Sequence, residues 1–371
     1  MRVNFIICFL LLYSSASFSQ QLNKEDVMSK LNLVNSYWQE NNKPTVWSFW
    51  DIAAYHTGNM ELYKLTQNET YRAYSEAWAE HNAWKGAKSD NKAEWKYSYG
   101  EKDDYVLFGD WQICFQTYID LYNLDPQPHK VARAKEVMQY QMSTPNNDYW
   151  WWADGLYMVT PVMTKLYKLT GDEEYLDKMY VYLQYADSIM YDEKESLYYR
   201  DAKYVYPKHK SENGKKDFWA RGDGWVFAGL AKVLQDLPKD HRHYDYYVQR
   251  YQDMANTIAK SQQKAGYWTR SMLDPQHAPG PEASGTAFFT YGFLWGINNG
   301  FLSEKDYLRT AQSGWKFLSE TALQVDGRVG YVQPIGEKAI LGQVVDSNST
   351  ASFGVGAFLL AGSEMYRYLN K

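Results

Sequence analysis

The segment Leu62-Tyr63-Lys64-Leu65-Thr66-Gln67-Asn68-Glu69-Thr70-Tyr71 returns as Leu166-Tyr167-Lys168-Leu169-Thr170-Gly171-Asp172-Glu173-Glu174-Tyr175, seven identities in ten at an offset of 104 residues. Each copy ends an apolar, helix-like run, makes a short turn, and opens the next run with an acidic residue where the positive end of a helix favours one. Two antiparallel helices joined this way form an αα-hairpin. A weaker third copy starts at Leu121-Tyr122-Asn123-Leu124, and further turns fall near Leu237-Pro238 and Asn298-Asn299-Gly300. Working outward from these turns, the periodicity predicts first helices over 49–65, 108–123, 154–169, 223–236, 285–298 and 353–369. Second helices are predicted over 69–83, 127–141, 173–190, 243–263 and 303–321, with 23–40 pairing with the last helix across the chain ends. Strand signals are confined to short aromatic stretches such as Leu197-Tyr198-Tyr199-Arg200, which read equally well as loop.

Hairpins that cannot bury their own apolar faces need neighbours, and six of them can close into a ring with the first helices inside. The expected fold class is therefore all-α, an (α/α)6 toroid, forming a single domain over 20–371. Links into the inner helices are long and rich in Trp, Gly, Asp and Arg, so one mouth of the ring is expected to carry the chemistry.

The composition fits such a packed ring. The 371 residues include 15 Trp, 34 Tyr and 15 Phe, and 45% are hydrophobic, which excludes a disordered or fibrous chain. A net charge of −5 gives no electrostatic footprint for nucleic acid. Residues 1–19, with Arg2, an apolar run from Phe5 to Tyr13 and small residues up to Ser19, read as a secretory signal peptide, so the mature protein is expected to be exported, periplasmic or secreted, without a membrane anchor. Cys8 lies in that leader, leaving Cys114 as a core thiol without a disulfide partner.

Candidate site residues lie in the links. Asp154 follows Trp150-Trp151-Trp152 at the start of an inner helix, where a carboxylate can cap the helix, or, shielded by indoles, can keep its proton near neutrality as a general acid. Asp110, in Gly109-Asp110-Trp111-Gln112, holds the equivalent place in the preceding hairpin, so the two carboxyls can enter one cavity and raise one another's affinity for a proton. In Phe218-Trp219-Ala220-Arg221-Gly222-Asp223-Gly224-Trp225, Arg221 offers a fork for a carboxylate, Trp225 offers a flat face for a sugar, and Asp223 reads as a cap. Arg221 equally suits a structural salt bridge. Ser284, in Pro281-Glu282-Ala283-Ser284-Gly285-Thr286, is a substrate-rim or capping hydroxyl. The seven histidines show no metal-ligand spacing, and no phosphate-binding glycine loop is present, so neither a metal nor an organic cofactor is expected.

Three segments, Trp151-Trp152-Ala153-Asp154-Gly155-Leu156-Tyr157-Met158, Phe218 to Leu230 and Pro281 to Phe288, resemble the unsaturated glycuronyl hydrolases, glycoside hydrolase families 88 and 105, most closely family 105. The resemblance covers nearly all of the mature chain. It implies an (α/α)6 barrel, the catalytic acid/base at Asp154, an assisting carboxylate at Asp110, and substrate contacts at Trp219, Arg221 and Trp225. The family's common Arg-Gly-Asn-Gly-Trp reads here with Asp223 in place of Asn. The implied substrate is an unsaturated uronyl oligosaccharide, with rhamnose next in the chain, from ulvan or rhamnogalacturonan. Lys208, Lys210, Lys215 and Lys216 tilt the reading toward sulfated ulvan fragments, although a solvated loop explains them as well. A conventional glycosidase, a sugar epimerase and a non-catalytic glycan-binding protein are the alternatives on the same fold.

Overall fold

The recurring decapeptide folds the same way twice. Gln67 (φ 55°) and Gly171 (φ 72°) both take the left-handed conformation that ends a helix, and their N–H groups donate to Tyr63 O and Tyr167 O at 2.7 Å. One residue further on, Asn68 and Asp172 accept from the N–H groups of Thr70 and Glu174, each at 3.0 Å, and open the next helix.

The computed structural model describes residues 22–371; the expected leader, 1–19, lies outside them. In chain order the helices are α1 (Lys24–Asn41), α2 (Trp50–Thr66), α3 (Glu69–His81), α4 (Gly109–Gln112), α5 (Cys114–Leu124) and α6 (His129–Ser143). There follow α7 (Ala153–Thr170), α8 (Glu174–Met190), α9 (Ala220–Asp236), α10 (Tyr244–Ser261), α11 (Ala283–Asn298), α12 (Glu304–Phe317) and α13 (Ser352–Leu369). A two-stranded hairpin, β1 (Tyr191–Asp192) with β2 (Leu197–Tyr198), interrupts the link after α8.

Helix α2 packs on α5, α5 on α7, α7 on α9, α9 on α11, α11 on α13, and α13 back on α2, which closes the inner ring. The outer helices α3, α6, α8, α10, α12 and α1 each pack on the inner helix of their own hairpin, so the structure is the all-α (α/α)6 toroid. Burial follows position. Helix α10 buries Tyr247, Tyr251, Met254, Ala255 and Ile258, one stripe at helical spacing, whereas α11 is buried at every residue from Ala283 to Ile297.

Two boundaries differ from the periodicity. The inner helix expected over 108–123 is broken at Ile113 into α4 and α5, and α9 begins at Ala220 rather than 223, so Arg221 to Trp225 are helical and not loop. The start is fixed early because Trp219 is extended and pairs with Ser271, and Ala220 N–H donates to Arg270 O at 2.9 Å.

Ring closure depends on two glycines. A Cβ on Gly356 would stand 2.3 Å from Ala54 O, and one on Gly58 would stand 2.2 Å from Gly356 O. Backbone cannot give way as a flexible side chain can. We expect Gly356→Ala to destabilise the fold by roughly 1–3 kcal/mol, because this overpacking outweighs the gain of up to about 1 kcal/mol in helix propensity. A denaturant midpoint unchanged from wild type would contradict so tight a seam.

Candidate active site

The second residue of each inner helix faces the same end of the ring. In order around it these residues are Asp51, Asp110, Asp154, Arg221, Ser284 and Phe353. A cavity of about 420 Å³ opens there, lined among others by Trp50, Tyr99, Asp110, Trp151, Trp152, Asp154 and Arg200. Its size lies within the ~300–1,000 Å³ usual for small-molecule sites.

Asp154 does not cap its helix. The capping position is Trp152, which makes no side-chain bond to the helix, and Asp154 instead lines the cavity. Its Oδ2 is buried with no hydrogen-bond partner and lies 3.4 Å from Arg200 Nε, which is also without one. Burial raises the Asp154 carboxyl above its ordinary range, although the charges of Arg200 and Arg221 pull the other way. Asp110 lines the same cavity, and its carboxyl is pushed well above the usual value, first by burial and then by the charge of Asp154. Structure and sequence agree in bringing these two together.

Asp51 is a third carboxyl in the same register. Burial lifts it to about 6, and its Oδ1 is buried without a partner. The sequence reading passed over it, yet its place directly after Trp50 at the head of an inner helix is the signal that would have found it.

Arg200 was also missed. It arrives through backbone pairing: Trp152 bridges Asp201, and Ala153 N–H donates to Arg200 O at 2.8 Å, which sets the guanidinium beside Asp154. The aromatic stretch before it is β2, held by Asp223, whose Oδ1 accepts from Tyr198 N–H at 2.8 Å. Asp223 is therefore a hairpin anchor and not a cap. Beyond Arg200 the lining includes Lys203, and from the link before α13, Ile335, Gly336 and Glu337. Glu337 accepts from Tyr204 OH at 2.5 Å and pairs with Lys203 Nζ at 3.2 Å and Arg200 Nη1 at 3.4 Å.

The expected substrate contacts lie elsewhere. Trp219 Nε1 donates to Gln333 Oε1 at 2.8 Å. Arg221, 1% exposed, donates to Gln333 O at 2.6 Å and Pro334 O at 2.9 Å, with its guanidinium 4.6 Å from the Trp219 ring and 4.7 Å from the Phe353 ring. Trp225 is fully buried against Phe288 and Tyr157. Ser284 donates its hydroxyl to Glu282, which is the cap of α11. None of the four lines the cavity: an aromatic-rich arginine segment serves equally as a binding face or as a wall, and burial makes it a wall. The loop lysines do not reach the cavity either. Lys215 pairs with Asp274, and Lys216 with Asp192 and Glu195. Among the described residues no group of three or more His, Cys, Asp or Glu is placed to hold a metal ion.

Asp223 supplies a test of this packing. Burial raises its carboxyl well above the usual value, so the folded protein binds this proton more tightly than the unfolded chain, which ionises above about pH 4. The stability contributed by the protonated form is complete below about pH 4 and is lost as pH rises toward the folded value. Asparagine retains the acceptor for Tyr198 without that loss. We expect Asp223→Asn to stabilise the protein at pH 7, with the gain shrinking toward pH 4. A gain independent of pH in denaturant titrations would exclude ionisation as its source.

Comparison with known proteins bears on this site. The family model described as Glycosyl Hydrolase Family 88 matches residues 21–369. An unsaturated 3S-rhamnoglycuronyl hydrolase of Formosa agariphila is 33% identical, over 93% of this chain and 92% of its own. Among solved structures, a glycosyl hydrolase family 88 protein from Bacteroides vulgatus superposes with a TM-score of 0.92 at 59% identity, over 94% of this chain and all of that one. A protein named a polysaccharide lyase superposes with a TM-score of 0.92 at 67% identity, over 94% of this chain and 98% of that one. With the family match spanning the whole ring and its carboxylate-lined mouth, this chain belongs to glycosyl hydrolase family 88 and is a glycoside hydrolase.

Proposed function

We propose that the protein is an exported, exo-acting hydrolase that removes an unsaturated 4-deoxy-Δ4,5 uronic acid from the non-reducing end of lyase-generated oligosaccharides, with rhamnose as the next sugar, as in ulvan or rhamnogalacturonan fragments. One observation carries this reading: a buried carboxyl, Asp154, with one oxygen uncommitted, stands 3.4 Å from the guanidinium of Arg200 in a tryptophan-lined cavity. The motifs around Asp154 and Arg221 support a place close to family 105.

The C4=C5 bond of such a uronate belongs to an enol ether. Asp154 donates its proton to C4, and the cation at C5 is stabilised by the ring oxygen. Water adds at C5 and returns a proton to Asp154, so that one carboxyl acts first as acid and then as base. The resulting hemiketal opens and releases the next sugar with its hydroxyl restored. One water is consumed, and no cofactor enters the scheme. Arg200 is suited to the uronate carboxylate and Trp151 to the ring face, while Asp110, which lines the same cavity, is the assisting carboxyl.

A second reading is favoured by the 67% identical structure named a polysaccharide lyase. There the cavity would take a saturated uronate: a carboxylate removes the C5 proton, the bond from C4 to its oxygen breaks, that oxygen is protonated, and the C4=C5 bond forms. The two readings give opposite signals. Incubation with an unsaturated uronyl-rhamnose disaccharide should abolish the ultraviolet absorbance of the conjugated double bond. If absorbance instead appears when a saturated uronate oligosaccharide is supplied, and the unsaturated disaccharide persists, the lyase reading replaces the hydrolase one.

A further inference from the structure

We infer that Glu337 makes the mouth of the cavity selective against a sulfate on the sugar next to the uronate, so that the preferred substrate is unsulfated; this rests on the hydrolase reading above. Depth within the cavity assigns the two sugars. Asp110 and Asp154 are 6% and 8% exposed and form its floor, whereas Tyr99 and Ile335 are 60% and 65% exposed and stand at its opening. The Lys203 and Glu337 side chains, 60% and 43% exposed, belong to the same outer level. A uronate seated against Asp154 and Arg200 therefore places its neighbour among Tyr99, Ile335, Lys203 and Glu337.

The cavity lining holds two cations, and both are already engaged. Arg200 Nη1 lies 2.7 Å from Asp201 Oδ2 and 3.4 Å from Glu337 Oε2. Lys203 Nζ lies 3.2 Å from Glu337 Oε2 and 3.7 Å from Asp201 Oδ2. The carboxylate of the uronate has Arg200 to meet it, because the contacts with Asp201 and Glu337 occupy Nη1 and leave Nε without a hydrogen-bond partner. A sulfate on the next sugar would be a second, permanently ionised group, and the Lys203 ammonium that could receive it is held by Glu337. Glu337 itself is anchored twice, by the Tyr204 hydroxyl and by the backbone of its link, which Arg221 grips at Gln333 and Pro334. Although burial opposes it, bonds from Tyr204 and Lys203 keep this carboxyl below its ordinary range, so it is ionised at neutral pH and repels an incoming anion.

The test uses two unsaturated uronyl-rhamnose disaccharides that differ only in a sulfate on the rhamnose. For the wild-type protein kcat/KM is expected to be at least about tenfold higher on the unsulfated one, a like-charge penalty softened by solvent. Glu337→Gln keeps the shape and removes the charge, and is expected to narrow the ratio to within about threefold, mainly by raising turnover of the sulfated disaccharide. Should that variant fold poorly, wild type in added salt serves instead, because screening should raise kcat/KM for the sulfated disaccharide relative to the unsulfated one. Equal or better turnover of the sulfated compound by wild type overturns the inference and leaves the hydrolase reading intact. Consumption of neither compound overturns the hydrolase reading and this inference with it.

Discussion

Asp154→Asn is expected to lower kcat on an unsaturated uronyl disaccharide by about 10³-fold while leaving the melting temperature within a few degrees of wild type. The amide keeps the shape of the carboxyl but can neither donate a proton to C4 nor accept one from water. Little stability is at stake, because Asp154 makes no capping bond and Oδ2 has no hydrogen-bond partner to lose. A neutral amide in place of a carboxyl that burial already biases toward its neutral form changes the contact with Arg200 little. The decisive measurements are kcat and a thermal melt on the same preparation. If the variant melts far below wild type and retains its activity per folded molecule, Asp154 is a structural residue and the proposed chemistry fails. Burial raises the affinity of this carboxyl for the proton it must donate, although Arg200 and Arg221 oppose it.

Arg221→Ala has the other large expected effect, and it falls on stability. The guanidinium is sandwiched between the Trp219 and Phe353 rings, and it donates to two carbonyls of the link that carries Ile335, Gly336 and Glu337 into the cavity wall. Truncation leaves a void between the two rings and strips both carbonyls of their donor, a combined loss of about 3–5 kcal/mol. Burial also lowers the guanidinium to about 10, a sign of how little solvent reaches it. Lysine would not substitute, because its ammonium lacks the planar fork that packs against both rings while serving two acceptors. A contact with substrate predicts a different result: KM would rise while the denaturation midpoint stayed in place. Measuring both separates a wall residue from a ligand contact.

The ten-residue repeat, read with no other information, contained the hairpin. A helix that ends in a left-handed residue and restarts on an Asn or Asp cap is specified by short-range bonds, and the same bonds occur at Thr66 to Thr70 and at Thr170 to Glu174. The register of Asp110 and Asp154 at the heads of neighbouring inner helices was legible for the same reason, and the same register contained Asp51. Once six hairpins close, equivalent positions lie at one end of the ring, although only some of their side chains line the cavity there.

The links between hairpins obey no such period, and there the amino-acid pattern was ambiguous. Arg200, Lys203 and Glu337 meet because Ala153 bonds to the backbone of Arg200, and because Arg221 ties down the distant chain at Gln333 and Pro334. Trp219, Arg221 and Trp225 have the composition of a sugar platform, yet they are buried behind the cavity. Local sequence thus determined the helices, their order and the carboxyls they carry, since those depend on neighbours a few residues apart. Tertiary structure alone decided which arginine faces the acid and which supports the wall, because desolvation and pairing across the ring belong to the folded chain and not to any one segment.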